Sequence, residues 1–249
     1  MAQDGGKGRR VEAQVPTVIT VLVFAGREWR ATRARLGVDL PLQASPLGPW
    51  LPASWPGPGG PVSGVVFHPG PGKIAAGAAA QWALLTWQPQ LLVVLGTCGS
   101  IHPDRAPLDL LAARRTVVYD FTSAVPAARD RMQQAYRIDL PELPDLGGLA
   151  HPVRPAVLAT GDGDPSPSQL TQLRKEEGAE AVDWESGAVA WVCRQNGVPC
   201  LILRGVSDDA TASGAAQQAA YAQAAPQVMD CLWTVWEELL AAGRLAVAR

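Results

Sequence analysis

The chain is poor in the residues that build disulfides and metal sites. Its four cysteines, Cys98, Cys193, Cys200 and Cys231, lie far apart and form no CxxC pair. That spacing argues against a disulfide framework or a zinc site and reads as buried thiols in a reducing compartment. The three histidines, His68, His102 and His151, form no HxxxH or HExxH pair, so no metal is expected. Basic excess is absent too. A net charge of -2 leaves nothing to neutralise phosphates, which disfavours nucleic acid and anionic membranes as partners. No apolar run is long enough to span a bilayer, and the polar opening MAQDGGKGRRVEAQ lacks the apolar centre of a signal peptide. The expectation is a soluble cytoplasmic protein whose residues 1–16 form a loose tail.

Apolar material, by contrast, is plentiful. At 249 residues and 47% hydrophobic, the chain supports one large α/β domain, taken as residues 17–249. Nine tryptophans are scattered along it and read mostly as packing, not as a stacking platform for bases. Strand-like runs alternate with helix-like segments: VITVLVF before REWRATRARL, VSGVVFH before KIAAGAAAQWALLTW, LLVVL before GTCGS, then RTVVYD, AVLAT, AVDWE before SGAVAWVCRQNG, and CLILRGV. Asn196-Gly197 makes a helix stop, and Val228, Leu232, Val235 and Leu239 mark a final helix. This alternation predicts a single-domain, mixed, mostly parallel sheet flanked by helices, with ligands at the C-terminal strand ends. Two stretches resist the scheme. Residues 41–61, dense in proline and glycine, read as a long loop, and residues 141–155 read as irregular.

Three acids follow strand candidates: Glu28 after the first, Glu185 after AVDW, and Asp208 after LILRGVS. Singly, each has an ordinary structural reading. Glu28 and Glu185 fit the acid-favouring first turn of a helix, and Asp208 fits an N-cap. Their convergence at strand ends is what points to chemistry. PGPGKI has some flavour of a nucleotide loop but lacks the spacer and the Ser/Thr after lysine, so a tight strand-to-helix turn is the better reading. Asp183 is expected on the opposite side of its strand from Trp184, as a supporting acid, with Asp209 an ordinary neighbour.

The segment TGDGDPSPSQLTQLRKEEGAEAVDWESGAVAWVCRQNGVPCLILRGVSDDA resembles the nucleoside phosphorylase/nucleosidase superfamily, most of all the methylthioadenosine/S-adenosylhomocysteine nucleosidases. The pattern is DWESGA, GVP, LIL and RGVSD in the family's order, with weaker echoes in VFAGRE, GPGKIAAGAAA and LLVVLGTCGS. The resemblance covers roughly residues 18–240, and its specific part is Thr160 to Asp209. It implies a nucleoside phosphorylase-like fold and a cofactor-independent enzyme that cleaves a purine N-glycosidic bond to free base and pentose.

In that family Asp208 would protonate the purine N7, delivered with Ser207 by the last strand. Glu185 would accept the ribose 2′- and 3′-hydroxyls, and Trp184 would take the place of a methionine against the ribose. Glu28 would orient or deprotonate water, although the family's glutamate often falls one residue further on, where this chain has Trp29. Thr97 in the central glycine turn would hold a water or a sugar hydroxyl. Related phosphorylases carry a phosphate-binding arginine before that turn, where this chain has Val94 and Leu95, so water is the expected nucleophile. The family's base loop carries an aromatic residue where TGDGDP has Gly163, Asp164 and Pro165. Asp164 either reads a base amino or imino group or caps the helix beginning near Pro165, the cap being the favoured reading. Methylthioadenosine or S-adenosylhomocysteine is the first substrate expectation. Futalosine or another modified purine nucleoside comes next, with a purine nucleoside phosphorylase and a non-catalytic nucleoside-binding protein as alternatives. The family implies a homo-oligomer, with a dimer favoured.

Overall fold

A computed structural model describes residues 19–121, 123–140 and 143–245 of the chain, and the tail expected over residues 1–16 lies outside them. The elements follow in the order β1 (Ile19–Leu22), α1 (Gly26–Leu36), β2 (Gln43–Ser45), β3 (Gly48–Gly57), β4 (Gly60–Phe67), α2 (Lys73–Thr86) and β5 (Leu91–Ser100). Then come β6 (Leu110–Val118), α3 (Pro126–Ala135), β7 (Ile138–Asp139), β8 (Val153–Thr160) and α4 (Pro167–Gln172), which runs on as a π-helical turn over Leu173–Glu177. The remainder is β9 (Ala179–Asp183), α5 (Ser186–Asn196), β10 (Cys200–Asp209) and α6 (Gly214–Ala241).

All ten strands among the described residues belong to one sheet. β4, β1, β5 and β10 run parallel to one another, and β6, β8 and β9 form a second parallel group. The two groups meet antiparallel twice, at β10–β6 and β5–β9, so this part of the sheet closes on itself. Both faces of the central strands are covered, which is why they read as unbroken apolar runs. Leu92 and Val94 pack with Ala76, Ala79 and Ala83 of α2 and Val189 of α5. The alternating Leu91, Val93 and Leu95 pack with Val228, Leu232 and Trp236 of α6. The four residues that marked the last helix are all fully buried, and α5 ends at Gly197, whose φ of 66° is the left-handed cap the sequence anticipated.

The proline-rich stretch is a correction to the sequence reading. Residues 43–57 are not a loop but two strands, β3 pairing with β2 on one side and β4 on the other. Along β3, Leu51 and Trp55 face the core while Pro52, Ser54 and Pro56 face outward. β2 covers β3 only at residues 48–50, so beyond Trp50 the prolines sit on a strand with one free edge, where a missing N–H is tolerated. Of the stretch expected to be irregular, residues 143–152 are so, residues 153–155 already belong to β8, and residues 141–142 lie outside the described residues.

Candidate active site

A cleft of about 420 Å³ opens at the C-terminal ends of β1, β5 and β10. Its acidic lining is Glu28, Asp164, Asp183, Glu185 and Asp208. Glu28 and Asp208 arrive together because β1 and β10 flank β5 in parallel. Glu185 arrives by another route. β9 runs against β5 and pairs with it at Gly99 and Ser100, which brings the residues after Asp183 to the same place.

Asp208 owes its aim to a bulge. The β10 register against β5 slips between Val206 and Asp208, so Ser207 is an extra residue and both Ser207 and Asp208 line the cleft. The Ser207 hydroxyl donates to Asp208 Oδ2 at 2.5 Å. Oδ1 lies over Gly99, where a Cβ would sit only 3.0 Å from it. Burial raises the Asp208 carboxyl above its ordinary range. The Ser207 hydrogen bond opposes this, and the charges of Asp209 and Asp164 add to it.

Glu28 is buried in the first turn of α1, and its two oxygens divide the work. Oε2 accepts from the Ala25 N–H at 3.0 Å, satisfying an orphan donor at the helix start. Oε1 accepts from the Thr97 N–H at 2.6 Å and the Thr97 hydroxyl at 2.7 Å. Thr97 therefore holds Glu28 in place: its hydroxyl donates to the acid and keeps its lone pairs as acceptors on the cleft wall. Trp29 stacks on His68 at 5.1 Å and is not part of the described cleft lining, whereas Glu28 is.

Glu185 is buried between two donors. Gly72 N–H reaches Oε1 at 3.1 Å and Arg204 Nη2 reaches Oε2 at 3.0 Å. Arg204 is fully buried, and its Nε also pairs with Asp183 at 3.0 Å while Nη1 donates to the Thr97 carbonyl at 3.2 Å. One guanidinium thus serves two buried carboxylates. Burial pushes Glu185 up to about 7, against the pull of Arg204 and with the added repulsion of Asp183. Asp183, expected on the opposite side of its strand from Trp184, lines the cleft with it; it accepts from Thr160 Oγ1 at 2.7 Å and from the amides of Glu185 and Ser186, which ties the start of α5 to the end of β9. Trp184, half exposed, stands between the two acids on the cleft wall.

Arg204 is the participant that sequence reading passed over. Its signal was plain: a charge in the middle of a buried apolar strand requires buried partners. The opposite wall, Gln217, Gln218 and Tyr221 from the start of α6, was also missed, because glutamines in an alanine-rich helix carry no pattern. One expectation changes. Asp164 does not cap α4; the cap is Ser166, whose hydroxyl accepts from Gln169 N–H. The turn in PGPGK is the tight one expected, with Gly72 at φ 98° opening α2, and its lysine pairs with Asp120 and, at 3.7 Å, with Asp162. A larger cavity of about 720 Å³ lies beyond Lys73 between α2 and α5, but its one acid, Asp120, is held by that lysine.

Fold and cleft together define an α/β protein with an acid-lined site at its parallel strand ends. The chain belongs to the phosphorylase superfamily, whose family profile matches residues 58–237. It is similar to the aminodeoxyfutalosine nucleosidase of Helicobacter pylori, 30% identical over 174 residues, covering 60% of this chain and 74% of that protein. It is similar also to the 5′-methylthioadenosine/S-adenosylhomocysteine nucleosidase of Mycobacterium bovis, 27% identical over 178 residues, 58% of this chain and 69% of that protein. The fold matches a Helicobacter pylori nucleosidase structure holding 5′-methylthioadenosine, with a TM-score of 0.73 at 22% identity over 90% of this chain and all of that one. It also matches the 5′-methylthioadenosine nucleosidase of Arabidopsis thaliana, with a TM-score of 0.73 at 17% identity over 91% and 95% of the two chains.

Proposed function

We propose that this protein is a purine nucleosidase that hydrolyses the N-glycosidic bond of a nucleoside to free base and pentose. One observation carries the reading. The described lining of the cleft holds five acidic residues and no lysine or arginine; the buried Arg204 is committed to Asp183 and Glu185, and Arg27 stands over the Tyr221 ring. Such a site favours a sugar that becomes cationic as the bond breaks and repels a phosphate dianion, so water is the nucleophile.

Each acid has a task suited to its surroundings. Asp208 donates a proton to N7, making the base a neutral leaving group. Ser207 occupies Oδ2 as an acceptor and leaves Oδ1 to carry the proton. Such a step is worth about 10²–10⁴-fold. Glu185, held by Gly72 and Arg204, accepts the ribose hydroxyls and stabilises the developing positive charge, with Trp184 against the sugar. Glu28, fixed by Thr97 and Ala25, orients the attacking water and takes its proton. The substrates of the similar nucleosidases, 5′-methylthioadenosine, S-adenosylhomocysteine and aminodeoxyfutalosine, are the first to try. Free cysteines throughout fit a cytoplasmic enzyme, and the exposed Ile74 and Leu85 on α2, beside the larger cavity, fit a homodimer.

The test is chromatographic base release from a nucleoside panel, with and without phosphate, beside Asp208→Asn. Wild type should release base and free pentose at a phosphate-independent rate, and the variant should be slower by at least about 100-fold. Formation of a sugar 1-phosphate would sink hydrolysis, and an unimpaired variant would sink the role of Asp208.

A further inference from the structure

The loop after β8 has an acid with nothing to do in the protein itself. Asp164 lines the cleft alongside Asp208, yet its carboxylate makes no hydrogen bond or ion pair among the described residues. The α4 cap that would have used it is supplied by Ser166. Its neighbours are fixed: the Tyr119 hydroxyl donates to the Gly163 carbonyl, and the amides of Gly161 and Asp162 go to the Asp183 carbonyl and to Asp120. Pro165, buried behind it, has no N–H to offer. The side chain this turn leaves for a ligand is an acceptor.

Building on the nucleosidase reading, we infer that Asp164 is a specificity residue that reads the exocyclic amino group of a 6-aminopurine. A purine whose N7 meets Asp208 carries its C6 substituent on the same edge. Asp208 offers one O–H, used at N7, and its Oδ2 already accepts from Ser207. A 6-amino group brings donors to that edge and needs a further acceptor, which Asp164 provides. A 6-oxo group would place its lone pairs against the carboxylate. The aromatic residue that the family resemblance placed in this loop would bind any purine face alike; a carboxylate distinguishes donors from acceptors.

Adenosine, inosine and unsubstituted purine riboside, each also as its 5′-methylthio derivative, test this with wild type, Asp164→Ala and Asp164→Asn. Asp164 is exposed and unbonded, so both variants should fold. Wild type should prefer the 6-amino member, and Asp164→Ala should cut the kcat/KM ratio of 6-amino to unsubstituted substrate by about 10-fold or more. Asp164→Asn, which carries donors as well as an acceptor, should raise the 6-oxo substrate relative to the 6-amino one. Calorimetry with free adenine and free purine gives a readout independent of turnover, and adenine's advantage should shrink by a similar factor in Asp164→Ala. An equal loss on all substrates, or a wild-type preference for 6-oxo that Asp164→Ala abolishes, overturns the inference. No cleavage with an Asp164-dependent adenine preference would instead remove the hydrolase and leave the inference standing.

Discussion

Arg204 sits at full burial between Asp183 and Glu185, each at 3.0 Å. Removing one member of such a pair leaves charge without compensation in the interior, which costs about 3–5 kcal/mol. Arg204→Leu should therefore lose roughly that much in urea unfolding, whereas Arg204→Lys, keeping charge but losing the fork, should lose less. Glu185 adds a pH signature. Its value of about 7 lies above the ordinary 4.5, so the protonated form is the one the fold prefers. That stabilisation is complete below the unfolded value and lost as pH rises through about 7. The melting temperature of wild type should fall between pH 5 and pH 8, and Glu185→Gln should flatten the decline. The same titration gives kcat/KM a limb near pH 7 that the Gln variant lacks. Residue types and order made Glu28, Glu185 and Asp208 legible in the sequence. The roles of Thr97 and Asp164 were not, because a hydroxyl or a carboxylate in a turn reads alike whether it serves the protein or a ligand, and only partner geometry separates the two.

Among the elements, legibility followed burial pattern. β5 declared itself as an unbroken apolar run, and the second half of α6 through helical spacing, while its alanine-rich first half ahead of Pro226 carried no such mark. β3 hid because Pro49, Pro52 and Pro56 punctuate a strand whose inward positions, Leu51 and Trp55, still alternate. That alternation was readable; prolines on a partly free edge disguised it. Trp55 anchors the strand pair by packing on Trp233, ring centroids 6.3 Å apart, and edge-on against Trp236 at 5.7 Å. Trp55→Ala should cost about 3–5 kcal/mol in denaturant unfolding. β3 contributes nothing to the described cleft lining, so kcat/KM per folded molecule should stay within about twofold of wild type at a temperature where the variant is folded. A larger fall in activity would mean that the hairpin steers the site through α6.

Over the whole molecule, charge is nearly balanced, with 21 basic and 23 acidic residues. Net charge therefore contributes little field, and what acts on a ligand is local arrangement. Closure of the sheet produces it, because β9 crosses β5 and brings Asp183 and Glu185 beside the acids delivered by β1 and β10. Alternating α and β segments predicted the parallel strands, but not the antiparallel joins that close them, since pairing between distant strands leaves no mark in either sequence. On the proposed reaction, this acid-lined cleft favours the cation that exists only while the glycosidic bond is breaking. A nucleoside analogue with a protonated nitrogen in its five-membered ring should bind at least about 100-fold more tightly than the same analogue with carbon there, as expected of a transition-state mimic. Glu185→Gln and Glu28→Gln should each narrow that gap by weakening the charged compound far more than the neutral one. Equal affinity of the two analogues for wild type, measured by calorimetry at pH 7.5, would show that the acids serve positioning alone and that charge stabilisation is not how this cleft works.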